Sequence, residues 1–177
     1  DPNITIIVPS GSFDMESIKN PHKIVIWGIY SFIHGRELDY RKTPFCIESS
    51  SAKSQEQLHH MMAPWQTQLH VTNSDQRTKA HMAAVFSNNF VSALYQIAFD
   101  VLEKEHLNTE LVVATIQQLA EKLGSEHPKN LQTGPAKRND LSSLNKHMKL
   151  LTSEPDQQEV YRVLSNIILT KYGHSKL

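Results

Sequence analysis

Residues 23–29 read Lys-Ile-Val-Ile-Trp-Gly-Ile, and this stretch decides the fold class. It is a short apolar run rich in β-branched residues, which is typical of a strand buried in a parallel sheet. Similar short runs lie at residues 4–8, 44–48 and 68–72, and a helical pattern at 53–65 precedes the last of them. Strands that alternate with helical segments predict an α/β fold with a mostly parallel sheet.

The pattern changes after Thr72. Residues 74–105 contain no Gly or Pro and carry apolar residues three and four positions apart, which predicts one long helix. At 1.5 Å per residue this helix would span roughly 45 Å. Cap and stop residues predict further helices over about 108–123, 139–151 and 155–172. The sequence therefore predicts an α/β domain over 1–72 and an all-helical domain over 73–177.

Composition excludes several classes of function. Lys and Arg total 18, as do Asp and Glu, so no excess of positive charge favours nucleic acid as a partner. No apolar run approaches the roughly 20 residues of a membrane span. The single cysteine, Cys46, excludes an internal disulfide, and we expect a cytoplasmic protein. The ten histidines are scattered without a zinc-type spacing, so no metal site is expected.

Three stretches together resemble one known family. They are Ser10-Gly11-Ser12 with Gly28-Ile29-Tyr30 and residues 35–48, then Arg77 with the run HMAAVFSNNF at 81–90, then TGPAKRND at 133–140 with His147. They resemble a Rossmann-like NADP-oxidoreductase family of unassigned function, distantly related to pyrroline-carboxylate reductase and ketopantoate reductase. The resemblance implies the C-terminal half of a Rossmann-like parallel sheet, followed by a helical domain of the 6-phosphogluconate-dehydrogenase type.

The resemblance also implies a cofactor and a reaction. Members of the family bind NADP and would pass a hydride between its nicotinamide and a small carbonyl or imine compound. By the resemblance, the catalytic residues would be His81 and Asn89, and the cofactor would contact Ser10, Gly11, Ser12 and Tyr30. A substrate or anion would contact Thr133, Arg138 and Asp140.

Two departures from the family pattern favour an alternative function. Val8-Pro9 stand where the family has His-Thr, and Ser31-Phe32-Ile33 stand where it has a Pro-Leu-Gln or Pro-Met-Gln run. The family also opens on a glycine-rich turn that binds the pyrophosphate, whereas none of the six glycines here has the G-x-G-x-x-G spacing. We therefore expect that part of the nucleotide-binding domain precedes Asp1 and that this chain alone binds NADP weakly. The alternative is a non-catalytic nucleotide-sensing or dimer-forming module.

The residue types themselves leave several roles open. His81 is either a proton-transfer group that works near neutral pH or a hydrogen-bonded structural side chain where the helix meets the sheet. Asn89 either holds substrate or joins two helices. Arg138 beside Asp140 either binds an anion at a helix start or forms an ion pair that pins the loop.

The long helix predicts a homodimer. An apolar stripe of Phe86, Phe90, Leu94 and Ile97 lies on a helix that few other segments can cover. An uncovered stripe of this size would exceed what monomers usually expose. Zero net charge leaves little repulsion between two copies.

Overall fold

The computed structural model describes residues 4–32, 34–35 and 37–177. They form two compact units, Asp1–Ala93 and Leu94–Leu177. The first unit contains a mixed sheet with helices, and the second is entirely helical in its regular structure. Strand structure ends before Asn73, whereas the compact units divide at Ala93, because the first part of the long helix packs on the sheet. The domain division at residue 72 stays a prediction.

The sheet has four strands in the chain order β1-β2-β3-β4. Their bounds are Ile6–Pro9 for β1, Lys23–Gly28 for β2, Pro44–Ser49 for β3 and Gln68–Val71 for β4. The strand predictions are confirmed, and two of the three neighbouring pairs are parallel. The pair β2–β3 is antiparallel. Where the chain returns beside β2, the Ile29 amide donates to the Pro44 carbonyl. The parallel pair β3–β4 is joined by a crossover that contains helix α1 (Ala52–Met62).

The two faces of the sheet pack on different helices. Ile24, Phe45 and Ile47 form a core with Leu58 and Met62 of α1. Residues of the opposite parity along the strands, which point to the other face, include Trp27 and Glu48. Both contact the helix that follows β4. The sheet of the first unit is therefore covered by helices on both sides.

Two predictions about individual strand residues have different outcomes. Cys46 is buried as predicted, and burial raises the pKa of its thiol. The prediction that residues 4–8 form a buried strand is wrong, since Ile6 and Ile7 of β1 are 38% and 40% exposed. In the described chain β1 lies at the edge of the sheet, where it pairs with β2 alone.

The long helix begins at Ser74 as predicted but contains an interruption. It consists of α2 (Ser74–Ala84), a π turn (Val85–Asn89) and α3 (Phe90–Lys104). Asn73 caps α2, since its side chain accepts from the Gln76 amide while the Gln76 side chain accepts from the Asn73 amide. The prediction of one uninterrupted α-helix is wrong at the π turn, where the carbonyl-to-amide spacing lengthens by one residue.

The second unit adds four helices after α3. They are α4 (Glu110–Leu123), the short α5 (Pro128–Leu131), α6 (Leu141–Leu150) and α7 (Pro155–Lys171). Ala136, Leu144 and Leu169 form their buried core. The predictions for α4, α6 and α7 are confirmed, whereas α5 was not predicted. Among the described helices, none combines the length and the apolar character that a membrane crossing requires.

Candidate active site

The candidate site lies at the carboxyl ends of β1 and β2. These two strands are parallel, so the segments that leave them, Ser10–Ser12 and Ile29–Ser31, lie at the same edge of the sheet. Open α/β sheets bind ligands at this edge. A cavity of about 580 Å³ opens here within the first unit, a volume in the usual range for small-molecule sites. The residues that line it are Trp27, Ile29, Tyr30, Ser31, His81, Ala84, Val85, Ser87, Asn88 and Asn89.

The imidazole of His81 is held in this cavity by packing. Its ring meets the Trp27 ring edge to face, with centroids 5.2 Å apart and an interplanar angle of 69°. No hydrogen bond from a described residue reaches either ring nitrogen of His81. By contrast, His147 Nδ1 bonds the Tyr161 hydroxyl at 2.7 Å, and His174 Nε2 bonds the Lys137 carbonyl at 3.1 Å. The ring nitrogens of His81 therefore stay available to a ligand or to water.

The π turn brings two amide side chains to the cavity. Asn88 and Asn89 both line it, and the Asn88 amide donates to the Ser31 hydroxyl. The family resemblance points to Asn89, whereas Asn88 lies seven residues from His81, which is almost two full helical turns and hence about the same face. Single π turns inside α-helices occur frequently at functional sites.

The predicted cofactor residues lie at this same sheet edge with different surroundings. Tyr30 lines the cavity, and its exposed ring meets the Phe32 ring edge to face, with the ring centroids 5.7 Å apart. The Ser12 amide donates to the Ser10 hydroxyl at 3.4 Å, so these two residues form a local turn. Gly11 is buried beneath His81 and Trp27, whereas Ser12 is exposed. The cofactor role of these residues stays a prediction.

The predicted anion-binding residues belong to the second unit. The Asp140 carboxylate caps α6, where it accepts from the Ser143 amide at 3.0 Å and from the Ser143 hydroxyl at 2.7 Å. These hydrogen bonds lower the pKa of Asp140, and the charge of Arg138 adds a smaller effect. Arg138 is exposed and forms no ion pair with Asp140 among the described contacts. Thr133 lines a separate groove together with residues of α4 and α5. Their binding role also stays a prediction.

A buried arginine ties the site to the sheet. Arg77 of α2 is completely buried and donates to the Glu48 carboxylate and to the Phe13 carbonyl. It therefore joins α2 both to β3 and to the turn that follows β1. Its Nε has no hydrogen-bond partner among the described residues. Sequence reasoning used Arg77 only as part of a family pattern, because a single arginine on a helix carries no signal of burial.

The described residues include no group of three or more His, Cys, Asp or Glu side chains that could hold a metal ion. The polar groups of the residues that line the cavity are one imidazole, one indole N–H, two amides and three hydroxyls, which suit a ligand that forms hydrogen bonds.

A model described as a domain of unknown function, DUF2520, matches residues 43–168. The chain belongs to the DUF2520 family. The match extends from the start of β3 into α7 and so includes both His81 and Asn89. No curated protein matches the chain.

The chain is also similar to solved structures over most of its length. BF3122 of Bacteroides fragilis, provisionally named an NADP oxidoreductase, is 30% identical with a TM-score of 0.89, and the match covers 96% of this chain and 66% of BF3122. TM1727 of Thermotoga maritima is 18% identical with a TM-score of 0.76, over 95% of this chain and 68% of its own. Pyrroline carboxylate reductase of Plasmodium falciparum, solved with NADP bound, is 14% identical with a TM-score of 0.52, over 93% and 70%.

These likenesses confirm the predicted family resemblance and the predicted fold class of a Rossmann-like sheet followed by a helical part. The chain spans about two thirds of the length of these structures.

Proposed function

We propose that this DUF2520 protein is an NAD(P)-dependent oxidoreductase that acts on a small carbonyl or imine compound, with His81 as the proton-transfer group. The observation that carries the proposal is the His81 imidazole, which lies in a cavity at the carboxyl edge of the sheet with no described hydrogen bond to its ring nitrogens. An imidazole can donate or accept a proton near neutral pH. The oxidoreductase name of BF3122, at 30% identity, supports the same reaction class.

The residues at the sheet edge fit part of an NADP site. Tyr30 lines the cavity and Ser12 is exposed in the turn that follows β1, and they would contact the cofactor through an aromatic ring and a hydroxyl. When bound in its reduced form, NADPH, the cofactor would supply the hydride. Gly11 does not contribute a contact surface, because His81 and Trp27 cover it. The preference for NADP over NAD is part of the proposal and rests on the names of BF3122 and the Plasmodium reductase.

The roles of the other lining residues follow from their chemistry. A ring N–H of His81 would donate to the carbonyl oxygen or imine nitrogen of the substrate and transfer its proton there. The Asn89 amide would donate to the same oxygen or to a neighbouring one, which orients the substrate. Trp27 and Ile29 line the same cavity and would offer apolar contacts to the substrate.

The proposal is tested with the complete gene product that contains this chain. NADPH consumption is followed at fixed enzyme concentration against a panel of small aldehydes, 2-oxo acids and cyclic imines. The proposal predicts that at least one of these compounds is reduced at a rate proportional to enzyme concentration. No turnover across the panel, in a preparation that binds NADPH, would contradict it.

A second candidate is a non-catalytic nucleotide-sensing module with the same fold. The observation that favours it is the hydrogen bond from Asn88 to Ser31, which uses one of the two cavity amides within the chain itself. This bond occurs where Ser31 replaces the proline of the family pattern. A sensor would bind NADPH and change its association state, but it would not consume NADPH with any compound of the panel.

The proposal includes homodimer formation and a cytoplasmic location. Phe86 and Phe90 are 62% and 50% exposed, and their rings meet edge to face with centroids 5.2 Å apart. Met82, one helical turn earlier, is also exposed, so the three side chains form an apolar stripe from α2 across the π turn to the first residue of α3. A second copy of the chain would cover this stripe in a two-fold contact. A single free thiol, Cys46, is typical of a reducing compartment.

A further inference from the structure

We propose that Gly11 and Trp27 pack against the His81 imidazole and hold it in one orientation, so that Gly11 and Trp27 are positioning residues for proton transfer. This inference rests on the function proposed for His81. It assigns to Gly11 a role toward a side chain of the protein, in place of the predicted role toward the cofactor.

The close approach of Gly11 to the imidazole is the first observation. A Cβ atom added to Gly11 would lie 2.6 Å from His81 Cδ2 and 3.0 Å from His81 Cγ. It would also lie 3.1 Å from Cδ2 of Trp27. The absence of a side chain at Gly11 therefore provides the space in which both rings lie.

The second observation is which group would move if this space were filled. The atoms nearest the added Cβ belong to two side chains, and the closer is the His81 imidazole, which rotates about its own χ angles. Cδ2 of Trp27 lies farther from the added Cβ, at 3.1 Å against 2.6 Å for His81 Cδ2, and the Trp27 backbone pairs with Cys46 of β3. A methyl group at Gly11 would therefore displace the imidazole.

The third observation is that the turn carrying Gly11 is itself fixed. Arg77 donates to the carbonyl of Phe13 in this turn and to the Glu48 carboxylate on β3. Arg77 and His81 are four residues apart in α2, so they lie on the same face of the helix. The Arg77 side chain thus holds the loop that contains Gly11 and Phe13 against α2, four residues before His81.

Together these contacts orient the ring without using its nitrogens. A histidine held by a hydrogen bond at one nitrogen offers only the other to a ligand, whereas His81 packs against the Trp27 ring and lies over the backbone of Gly11. Such an arrangement preorganises a proton-transfer group and lets it exchange protons through either nitrogen.

The test reads the orientation of the ring directly, without a substrate. Nuclear Overhauser contacts from the His81 ring protons to Gly11 and Trp27 are recorded in the complete gene product that contains this chain, with His81→Gln to assign the signals. The Gly11→Ala variant is expected to lose the contacts between His81 and the Trp27 indole. Gly124→Ala is the matched control, because a Cβ there would meet its nearest neighbour at 3.7 Å. It is expected to keep them.

A second variant, Trp27→Leu, replaces the indole that packs on His81 with a smaller side chain and so avoids a steric clash. In Trp27→Leu, the three-bond couplings of the His81 β-protons are expected to change from those of one rotamer to an average. Contacts retained in Gly11→Ala would overturn the role of Gly11, and a single rotamer retained in Trp27→Leu would overturn the role of Trp27. Because these readouts need no turnover, an oriented but catalytically inactive His81 would contradict only the proposed function.

Discussion

Arg77 and His81 show two uses of a polar side chain where a helix meets a sheet. Arg77 is fully buried and bonded to Glu48 and Phe13, so its charge serves the fold. His81 is half-buried with no described bond to its ring, so its nitrogens remain free for chemistry. The difference depends on where each side chain lies: Arg77 faces β3, while His81 reaches the open edge beyond β2.

The buried ion pair gives a prediction about stability. Arg77→Met leaves the Glu48 carboxylate without its partner in a site where the Glu48 side chain is only 12% exposed. Removing one partner of a buried pair lowers the free energy of unfolding by about 3–5 kcal/mol. The control is Lys79→Met, which breaks an exposed pair with Asp75 on the same helix and is expected to cost about 0.3–0.5 kcal/mol. Urea denaturation of both variants measures the difference, and equal losses would contradict the assignment of Arg77.

The candidate site could be predicted from the sequence only in part. His81 has a distinctive chemistry and lies in a family pattern, so it could be identified. Trp27 and Gly11 could not be connected to it, because their contacts with His81 join residues far apart in sequence. Asn88 shares a helical face with His81, but its bond to Ser31 depends on a loop whose path no periodicity reveals.

At the scale of elements, the sequence predicts the kind of structure better than its arrangement. The four strands and the start of the long helix follow from short apolar runs and from the Asn73 cap. The direction of β3 does not, because an apolar run has the same pattern in parallel and antiparallel pairs. The π turn is also hidden, since a helix apolar on two stripes keeps its pattern when one residue is added to a turn.

The cap of α6 gives a prediction with a defined dependence on pH. Asp140→Ala removes the acceptor of both Ser143 hydrogen bonds and is expected to lower the melting temperature. Because these bonds lower the pKa of Asp140 in the folded state, the stabilisation is present above the unfolded value of about 3.9 and is lost as the pH falls through the folded value. The melting temperatures of wild type and variant should therefore converge in acid.

The matched control for this variant is Asp156→Ala, which removes an acidic residue from the first turn of α7. No described hydrogen bond links Asp156 to a helix amide, so its removal is expected to have a smaller effect. Equal melting temperatures for the two variants at neutral pH would show that the Asp140 cap contributes no stability.

For the whole molecule, the exposed aromatic stripe predicts a dimer. Light scattering after size exclusion at micromolar concentration should give twice the 20.2 kDa mass of the chain. The double variant Phe86→Ser/Phe90→Ser should give the monomer mass, because it removes the apolar surface that a second copy would cover. The control is Met61→Ser on α1, an exposed apolar residue outside the stripe, which should leave the mass doubled. A monomeric wild type would exclude the proposed dimer.

The chain by itself is expected to bind NADPH weakly. Most phosphate contacts of a Rossmann-like site come from a glycine-rich turn at a helix N-terminus, and the glycines of these 177 residues lack that spacing. Calorimetric titration of residues 1–177 with NADPH measures this affinity. A micromolar dissociation constant would contradict the expectation.

The central claim is that His81 transfers a proton in an NADPH-dependent reduction. The most direct measurement compares kcat and the NADPH dissociation constant of the complete gene product with those of its His81→Ala variant, on the best substrate of the panel. His70→Ala, an exposed histidine on β4, serves as the control. Loss of a positioned acid predicts a kcat about 10²–10⁴-fold lower with unchanged NADPH affinity and an unaffected control. A kcat of His81→Ala equal to that of the wild type would contradict the claim.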